Sequence, residues 1–275
     1  MTAPTSIAVA GTAAPVLRID PVLKIDNVAV HFGGLIAISD MSFDVREGEL
    51  VSLIGPNGAG KTTAFNVITG FHKPTRGQVT FKGVPLNGLK PHQVTALGLV
   101  RTFQRTSVFD KITVFENVLT GLHRRTSPRL FGTLLGLQKE RRAEEALREE
   151  AWDVLKLVGI EAQADELGGS LPYGDQRLLG VALALATGAS ALLLDEPVSG
   201  MNASETARFV ALLRNLRANG KTILLVEHDM PMVMGVSDRI VVLNYGRIIA
   251  NGPPSAIQND PDVIQAYLGK GVKHA

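Results

Sequence analysis

The chain has 275 residues, which is enough for one large domain or two modest ones with a buried core. Its 28 Lys and Arg residues nearly balance its 26 Asp and Glu residues, and a net charge of +2 predicts no nucleic-acid partner. The absence of cysteine excludes disulfides, thiolate zinc sites and Cys-ligated iron–sulfur clusters. A hydrophobic fraction of 45% with 20% charged residues is typical of a globular chain.

The N-terminal segment, residues 1–20, is predicted to be a flexible tail. Its first part, Met1 to Pro15, is rich in Ala and Thr but lacks the basic start and solid apolar run of a signal peptide. The most apolar region, Gly180 to Leu194, is interrupted by polar and small residues, so no stretch is long and apolar enough to span a bilayer. We therefore expect any membrane association to come through a partner.

The first half of the chain carries four predicted strands. They are Leu23–Phe32, Met41–Val45, Leu50–Ile54 and Gln78–Phe81. Leu50–Ile54 is a short, mostly apolar run, which is typical of a strand buried on both faces. A Gly-rich loop follows it directly, and from Thr62 the apolar spacing becomes helical.

The middle section, from about Pro91 to Leu178, has few strand signals, and its clearest element is a helix at Lys139–Val158. We interpret the charged face of that helix as solvated, and Gly159 as its end. Apolar strands then return, together with an amphipathic stretch. These elements are strands at Ala191–Leu194 and Thr222–Val226, the stretch Glu205–Leu216, and a hairpin of Ile240–Leu243 with Arg247–Ala250.

Strands that alternate with helices indicate an α/β fold with a largely parallel sheet. The predicted division is a core of residues 21–98 and 185–252, a helical insertion at about residues 99–184 and a C-terminal helical tail at residues 253–270. Residues 21–270 would then form one domain.

The loop after Leu50–Ile54 satisfies the G-x-x-x-x-G-K-[ST] pattern of a P-loop. Its residues are Gly55, Pro56, Asn57, Gly58, Ala59, Gly60, Lys61, Thr62 and Thr63. Glycines allow successive backbone N–H groups to point at an anion, and the helix that begins there adds its positive end. Lys61 is expected to bind the β- and γ-phosphates, and the Thr62 hydroxyl to bind Mg²⁺. The pattern predicts that ATP or GTP is bound with Mg²⁺.

Three later residues are candidates to complete this site. Asp195 ends an apolar strand and is expected to hold Mg²⁺, directly or through water. Glu196 beside it is suited to orient or deprotonate the attacking water. His228 follows the next strand, where it is expected to reach the γ-phosphate.

In this order the motifs resemble those of the ATPase subunits of ABC transporters, from about Leu23 to Gly269. Gln104 matches the family's Q-loop, which implies catalytic, metal-sensing and permease-contacting roles. Phe32 matches the aromatic residue that stacks on adenine, and Ser199–Asn202 lies where the family has its D-loop. The resemblance implies a RecA-like P-loop NTPase core, an antiparallel β subdomain and an inserted α-helical subdomain.

The family's signature motif corresponds to residues 171–176, and it departs from the usual Leu-Ser-Gly-Gly-Gln pattern. The residues predicted to contact nucleotide are Leu171, Tyr173, Gly174 and Asp175. Pro172 replaces the serine and Asp175 replaces the glutamine. Pro172 offers neither a hydroxyl nor an N–H, so we expect a weaker contact with the γ-phosphate held by the opposing subunit. The usual Glu and Arg after the motif are replaced by Gly180 and Leu183.

Several further segments are similar to those of branched-chain amino acid importers. They include Arg101–Gln104, Val114–Val118, the long stretch His123–Leu157, His228–Met230 and the ending Asn259–Gly269. The resemblance implies the larger of that system's two ATP-binding subunits, with ATP and Mg²⁺ as cofactors. Implied partners are a second ATPase subunit, expected to be non-identical although a homodimer stays open, two integral membrane permease subunits, and indirectly a periplasmic substrate-binding protein. The implied location is the cytoplasmic face of the bacterial inner membrane.

Two alternatives stay open at this point. One is an ATPase of a lipopolysaccharide-export ABC system, whose ending is similar to Tyr267–Gly269. The other is a nucleotide-binding regulatory subunit with low turnover, which the departures at Pro172 and Asp175 motivate.

Overall fold

The computed structural model describes residues 21–102, 108–123 and 138–268. The strands are β1 (Leu23–Phe32), β2 (Leu35–Val45), β3 (Leu50–Ile54), β4 (Arg76–Phe81), β5 (Val84–Pro85), β6 (Leu99–Thr102), β7 (Ala191–Asp195), β8 (Thr222–Val226), β9 (Arg239–Asn244) and β10 (Arg247–Gly252). The helices are α1 (Lys61–Ile68), α2 (Pro91–Ala96), α3 (Val114–His123), α4 (Gln138–Val158), α5 (Tyr173–Ala186), α6 (Ala203–Ala218), α7 (Met230–Val236), α8 (Pro254–Gln258) and α9 (Pro261–Leu268).

All ten strands form one sheet in the order β5-β4-β1-β2-β10-β9-β3-β8-β7-β6. The run from β9 to β6 is parallel, and β1, β2, β4 and β5 pair antiparallel. A single parallel pair, Arg247 with Asp40, joins β10 to β2 and so connects the two regions. The α/β class and the antiparallel β subdomain are therefore confirmed.

Strand β6 differs from the predicted division of the chain. Leu99–Thr102 pairs in parallel with β7 and forms one edge of the core sheet, whereas the sequence analysis begins the helical insertion at about residue 99. The run is only four residues long and ends in Arg101 and Thr102, so it carries no strong strand pattern. The helices of the insertion follow it, beginning with α3.

The helices of the insertion pack closely on one another. Gly121 of α3 lies so near α5 that a Cβ atom there would be 2.8 Å from the Cβ of Ala186. Ala151 and Leu155 of α4 are fully buried in the same apolar cluster, which extends to one face of the parallel strands. The insertion and the sheet therefore share one core, and this fixes the N-terminus of α5 relative to the ends of the strands.

The C-terminal helices pack beneath the start of the Gly-rich loop. Ile257 of α8 and Val263 of α9 are buried with Ile54, the last residue of β3, and with Val233 of α7. The predicted helical tail at residues 253–270 therefore begins as two short helices, and residues 269–275 lie outside the described ranges. Within those ranges, no helix combines the length and apolarity needed to cross a bilayer.

Candidate functional site

The P-loop is shaped by contacts that only glycine tolerates. Gly55 has φ 152°, and a Cβ atom there would lie 2.0 Å from the carbonyl oxygen of Leu243. Gly60 has φ 110°, and its Cβ atom would lie 2.9 Å from the carbonyl oxygen of Ala37. Since both contacts are with backbone, any side chain at either position would displace the loop.

The hairpin between β9 and β10 also holds the loop. The N–H of Gly246 donates to the carbonyl of Ala59 at 2.9 Å, and the N–H of Ser39 donates to the carbonyl of Gly246 at 3.0 Å. The turn residue Gly246 therefore joins the loop to β2. These contacts fix the curvature of the loop, and a loop that is held in its binding shape binds an anion at lower cost.

Lys61 lies inside the loop and is nearly buried. Its Nζ donates to the carbonyl of Gly55 at 2.6 Å and to that of Pro56 at 3.2 Å. Helix α1 begins at Lys61, its N-cap Gly60 provides no side-chain cap, and its first turn has no acidic residue. The positive end of the helix and the ammonium thus face the same loop, as phosphate binding requires.

The remaining loop residues lie on the accessible side. Asn57 and Gly58 are exposed, Thr62 is exposed and Thr63 is partly buried. Phe32 lies at the end of β1 with 45% of its surface exposed, and its ring meets His72 edge-on with centroids 5.4 Å apart. One face of an aromatic ring is therefore accessible, and the adenine-stacking role of Phe32 stays a prediction.

Asp195 and Glu196 lie at the carboxyl end of β7, on the sheet edge where β3 and β8 also end. Glu196 adopts φ 48°, a left-handed conformation that is uncommon for residues other than glycine. Its N–H donates to the carbonyl of Val226 on β8 at 2.8 Å. Strained backbone of this kind is concentrated at functional sites.

His228 meets Glu196 at this edge. Its Nε2 lies 3.4 Å from Oε2 of Glu196, and half of the His228 side chain is exposed. An exposed imidazole beside a partly buried carboxylate, on the edge that carries the P-loop, is suited to position a water molecule and to contact a phosphate. The structure thus brings together Lys61, Asp195, Glu196 and His228.

Asp195 has a basic partner that the sequence analysis did not single out. Nη2 of Arg101, on β6, lies 2.6 Å from Oδ2 of Asp195, and both side chains are nearly buried. Nη1 of Arg101 donates to the side chain of Asn66 on α1 at 2.8 Å. Arg101 therefore ties the Asp195 carboxylate to the helix that follows the P-loop.

Glu227 is the second residue that the sequence analysis missed. It is only 2% exposed. Its carboxylate accepts hydrogen bonds from the N–H groups of Val198 and His228, each at 3.0 Å. Burial raises the pKa of Glu227, and the hydrogen bonds from Val198 and His228 oppose that rise. The sequence did offer a signal for Glu227, which is a charged residue between an apolar strand and a histidine. Charged residues are seldom buried without partners, so its position predicts hydrogen-bonding groups around it.

Tyr267 of α9 also reaches the P-loop. Burial raises the pKa of its hydroxyl, while the nearby N–H of Gly55 lowers it. The C-terminal helices therefore contact the first residue of the loop as well as the strand below it.

The predicted signature residues form the start of α5. Leu171 is buried, Pro172 is the N-cap without a side-chain cap, and Tyr173 is 43% exposed. Gly174 packs against Glu205, whose side chain would lie 2.9 Å from a Cβ atom at this position. Asp175 is buried, and its Oδ1 lies 2.9 Å from Nη1 of Arg208 on α6. The carboxylate of Asp175 is thus engaged within the chain, and its predicted contact with nucleotide stays a prediction.

Gln104, predicted to sense the metal, lies outside the described residues. Thr62 and Asp195 supply a hydroxyl and a carboxylate, the hard oxygen donors that suit Mg²⁺. Within the described ranges, no group of three or more His, Cys, Asp or Glu residues could hold a metal ion.

Comparison with known proteins identifies the family. Residues 38–199, more than half of the chain, match the family described as ABC transporter. The chain belongs to the ABC transporter ATP-binding family. Residues 247–273 also match the family described as branched-chain amino acid ATP-binding cassette transporter.

A curated relative and two solved structures agree with this assignment. The high-affinity branched-chain amino acid transport ATP-binding protein LivG of Salmonella typhimurium is 46% identical over 91% of this chain and 98% of its own. A crystal structure of an ABC transporter cassette in its ADP conformation is 31% identical, with a TM-score of 0.78 over 91% of this chain and 99% of its own. A dimeric cassette in a post-hydrolysis state with ADP and Pi is 26% identical, with a TM-score of 0.69 over 84% and 98%.

Membership of the ABC family confirms ATP binding and ATP hydrolysis coupled to transport as the activity class. The relatives favour the importer hypothesis over the lipopolysaccharide-export alternative.

Proposed function

We propose that this chain is the ATP-hydrolysing subunit of an ABC importer for branched-chain or related amino acids. The observation that carries the proposal is the meeting of Glu196 and His228, 3.4 Å apart, on the sheet edge that also carries the P-loop. An ATPase subunit does not itself contact the transported molecule, so its side chains do not identify the substrate. The similarity to LivG supports the choice of branched-chain amino acids instead.

In this proposal the P-loop and the N-terminus of α1 bind the phosphates of ATP, and Lys61 neutralises charge on the β- and γ-phosphates. Phe32 stacks on the adenine. Thr62 and Asp195, with Gln104, would hold Mg²⁺, which would neutralise charge on the phosphates. Arg101 holds the Asp195 carboxylate through an ion pair.

Glu196 then accepts a proton from the attacking water as the water oxygen bonds to the γ-phosphorus. The bond to the bridging oxygen breaks, and ADP and phosphate are the products. His228 contacts the γ-phosphate and is held beside Glu196 by the Glu227 carboxylate, which binds its backbone N–H. A positioned base of this kind contributes roughly 10²–10⁴-fold to a rate.

The second cassette completes the site. We propose that residues Leu171, Tyr173, Gly174 and Asp175 of one cassette face the ATP held on the P-loop of the other. Pro172 as the N-cap of α5 lacks the hydroxyl that would contact the γ-phosphate, at a cost of about 1 kcal/mol. An unlike second ATPase with a complete signature motif would cap this chain's ATP better, so we infer a heterodimer.

The insertion would contact the permeases. Phe109 is 53% exposed, and its backbone is held at both N–H and C=O by the side chain of Asn117. Val108 packs beside it on the core of the insertion. A fixed, exposed aromatic residue of this kind, five residues after Gln104 in the sequence, suits a groove for a membrane subunit. Attachment through permeases would place the chain at the cytoplasmic face of the inner membrane.

The test is ATP-dependent association of the Glu196→Gln variant. With hydrolysis blocked and ATP binding intact, the variant should form a stable dimer with the paired ATPase on addition of ATP and Mg²⁺, as measured by light scattering. Lys61→Met is the matched control, because it removes a phosphate contact and should stay monomeric. If ATP produces no association of Glu196→Gln with either this chain or its paired ATPase, the proposal is wrong.

A further inference from the structure

Tyr173 connects the signature motif to the D-loop of the same chain. Its hydroxyl donates to the carbonyl of Ser199 at 3.0 Å. Its ring lies over Gly200, where a Cβ atom would be 3.3 Å from Cε1 of the tyrosine. The tyrosine thus contacts two consecutive residues of the D-loop through different parts of its side chain.

Arg177, one turn later on α5, holds the Tyr173 side chain in place. Its Nη2 donates to the Tyr173 hydroxyl, and its guanidinium carbon lies 4.9 Å from the centre of the tyrosine ring. Arg177 itself is buried. Because the hydroxyl accepts from Arg177 and donates to Ser199, its single proton is directed at the D-loop.

The other side of the D-loop is bound to the catalytic edge. The N–H of Ser199 donates to the carbonyl of Glu196 at 3.2 Å. The N–H of Val198 donates to the Glu227 carboxylate, which also binds the N–H of His228. The backbone of the D-loop therefore lies between Tyr173 on one side and the catalytic pair on the other.

The end of the D-loop is equally fixed. The side chain of Asn202 caps α6 by accepting from the N–H groups of Ser204 and Glu205, and Glu205 binds the N–H of Asn202 in return. Glu205 also packs on Gly174 of the signature motif. A displacement of α5 at its N-terminus must therefore move the D-loop.

We propose that Tyr173 is a positioning residue that couples the two ATP sites of the transporter, an inference that rests on the proposed function. In the proposed dimer, the signature motif of this chain faces the partner's ATP, while Glu196 acts on this chain's own. The Tyr173–Ser199 hydrogen bond joins the signature motif directly to the D-loop, whose Ser199 N–H donates to the carbonyl of Glu196. Loss of phosphate at the partner's site, by releasing α5, would then shift the backbone beside Glu196.

The first test needs no nucleotide. In the isolated chain, Tyr173→Phe keeps the ring over Gly200 but removes the hydrogen bond to Ser199, so amide hydrogen exchange in residues 197–202 should become about 3–10-fold faster. Tyr245→Phe, at the exposed tip of the β9–β10 hairpin, is the matched control and should leave that exchange unchanged. Unchanged exchange in Tyr173→Phe would overturn the proposal.

The second test uses the assembled transporter. Tyr173→Phe should lower kcat for ATP about 3–10-fold and bring the Hill coefficient for ATP towards 1. The Kd of a fluorescent ATP analogue for the isolated chain should stay within about twofold, because the P-loop is untouched. Arg177→Gln should act in the same direction, and the double variant should be no worse than Tyr173→Phe alone.

The outcomes separate the two proposals. A parent transporter with a Hill coefficient of 1, an unchanged Hill coefficient in Tyr173→Phe, or multiplicative effects in the double variant would contradict the coupling role. A parent transporter without ATP hydrolysis would contradict the proposed function instead, while the exchange measurement on the isolated chain would still decide whether Tyr173 holds the D-loop.

Discussion

At the scale of single residues, the site depends on charged side chains that are buried. Lys61, Asp195 and Glu227 are all buried, and each has an identified partner or hydrogen-bonding group in the structure. Burying an ionised group without such partners would shift the pKa of the group or destabilise the fold by roughly several kcal/mol. The partners therefore hold each charge in place.

Glu227 makes this dependence measurable through pH. Below its ordinary pKa of 4.5, the carboxyl group is protonated in both the folded and the unfolded chain. As the pH rises from 4.5 through the raised pKa, the unfolded chain releases the proton first, so this group's contribution to stability is lost over that interval. Above the raised pKa the folded protein carries the full cost of the buried charge.

We predict that Glu227→Gln destabilises the isolated chain at pH 5 and does so less at pH 8. The side-chain NH₂ of the new glutamine would face the N–H of Val198 or of His228, and the lost hydrogen bond costs about 1–3 kcal/mol. At pH 8 this loss is partly offset, because the variant buries no charge. Urea unfolding of both proteins at the two pH values gives the comparison. A difference between variant and parent that grows as the pH rises would contradict the assigned direction of the pKa.

The same scale shows where sequence reasoning stops. Lys61, Asp195, Glu196 and His228 could be chosen from motif spacing, because the chemistry of phosphate transfer restricts which residue types follow which strand. Arg101 could not, since its role depends on the pairing of β6 with β7, two strands separated by almost ninety residues. A long-range contact between two residues leaves no local pattern in the chain.

At the scale of elements, buried strands and the long amphipathic helix follow directly from the sequence. Leu23–Phe32, Leu50–Ile54 and Thr222–Val226 have the predicted bounds, because continuous apolar or alternating runs bury one or both faces. Strand β6 was missed, as a four-residue edge strand is stabilised by its neighbour more than by its own composition. The turn residues of the P-loop were predicted, but their contacts with β2 and β9 were not.

Replacing either of two glycines on packed helices by alanine should change the free energy of unfolding, in opposite directions for the two positions. In Gly180→Ala the new Cβ atom meets nothing within 4 Å in the middle of α5, so we expect about 0.5–1 kcal/mol of stabilisation. In Gly121→Ala the new atom would lie 2.8 Å from the Cβ of Ala186, and overpacking should cost about 1–3 kcal/mol. Chemical unfolding of the isolated chain measures both.

Equal effects of the two substitutions would contradict the close approach of α3 and α5. If Gly180→Ala is itself destabilising, the space beside Gly180 on α5 is occupied in solution. The pair therefore tests the packing of the insertion that sets the position of the signature motif.

At the scale of the whole molecule, one sheet joins the parts that must act together. The antiparallel strands carry Phe32, the parallel strands end at the edge where Asp195 and Glu196 lie, and the insertion carries the predicted signature motif and Phe109. Residues of the nucleotide site and of the surface proposed to face the partner thus belong to elements that pack on one sheet. In the proposed dimer, closure on ATP would move both surfaces at once and pass force to the permeases.

Uptake of branched-chain amino acids by the reconstituted transporter tests the central claim most directly. Proteoliposomes that contain the permeases, both ATPase subunits and the periplasmic binding protein would be supplied with labelled leucine and ATP. We predict ATP-dependent uptake that falls at least about 10²-fold when Glu196→Gln replaces the parent chain, while ATP binding persists. Uptake that continues unchanged with Glu196→Gln, or a parent transporter that hydrolyses ATP without moving leucine or a related amino acid, would contradict the account.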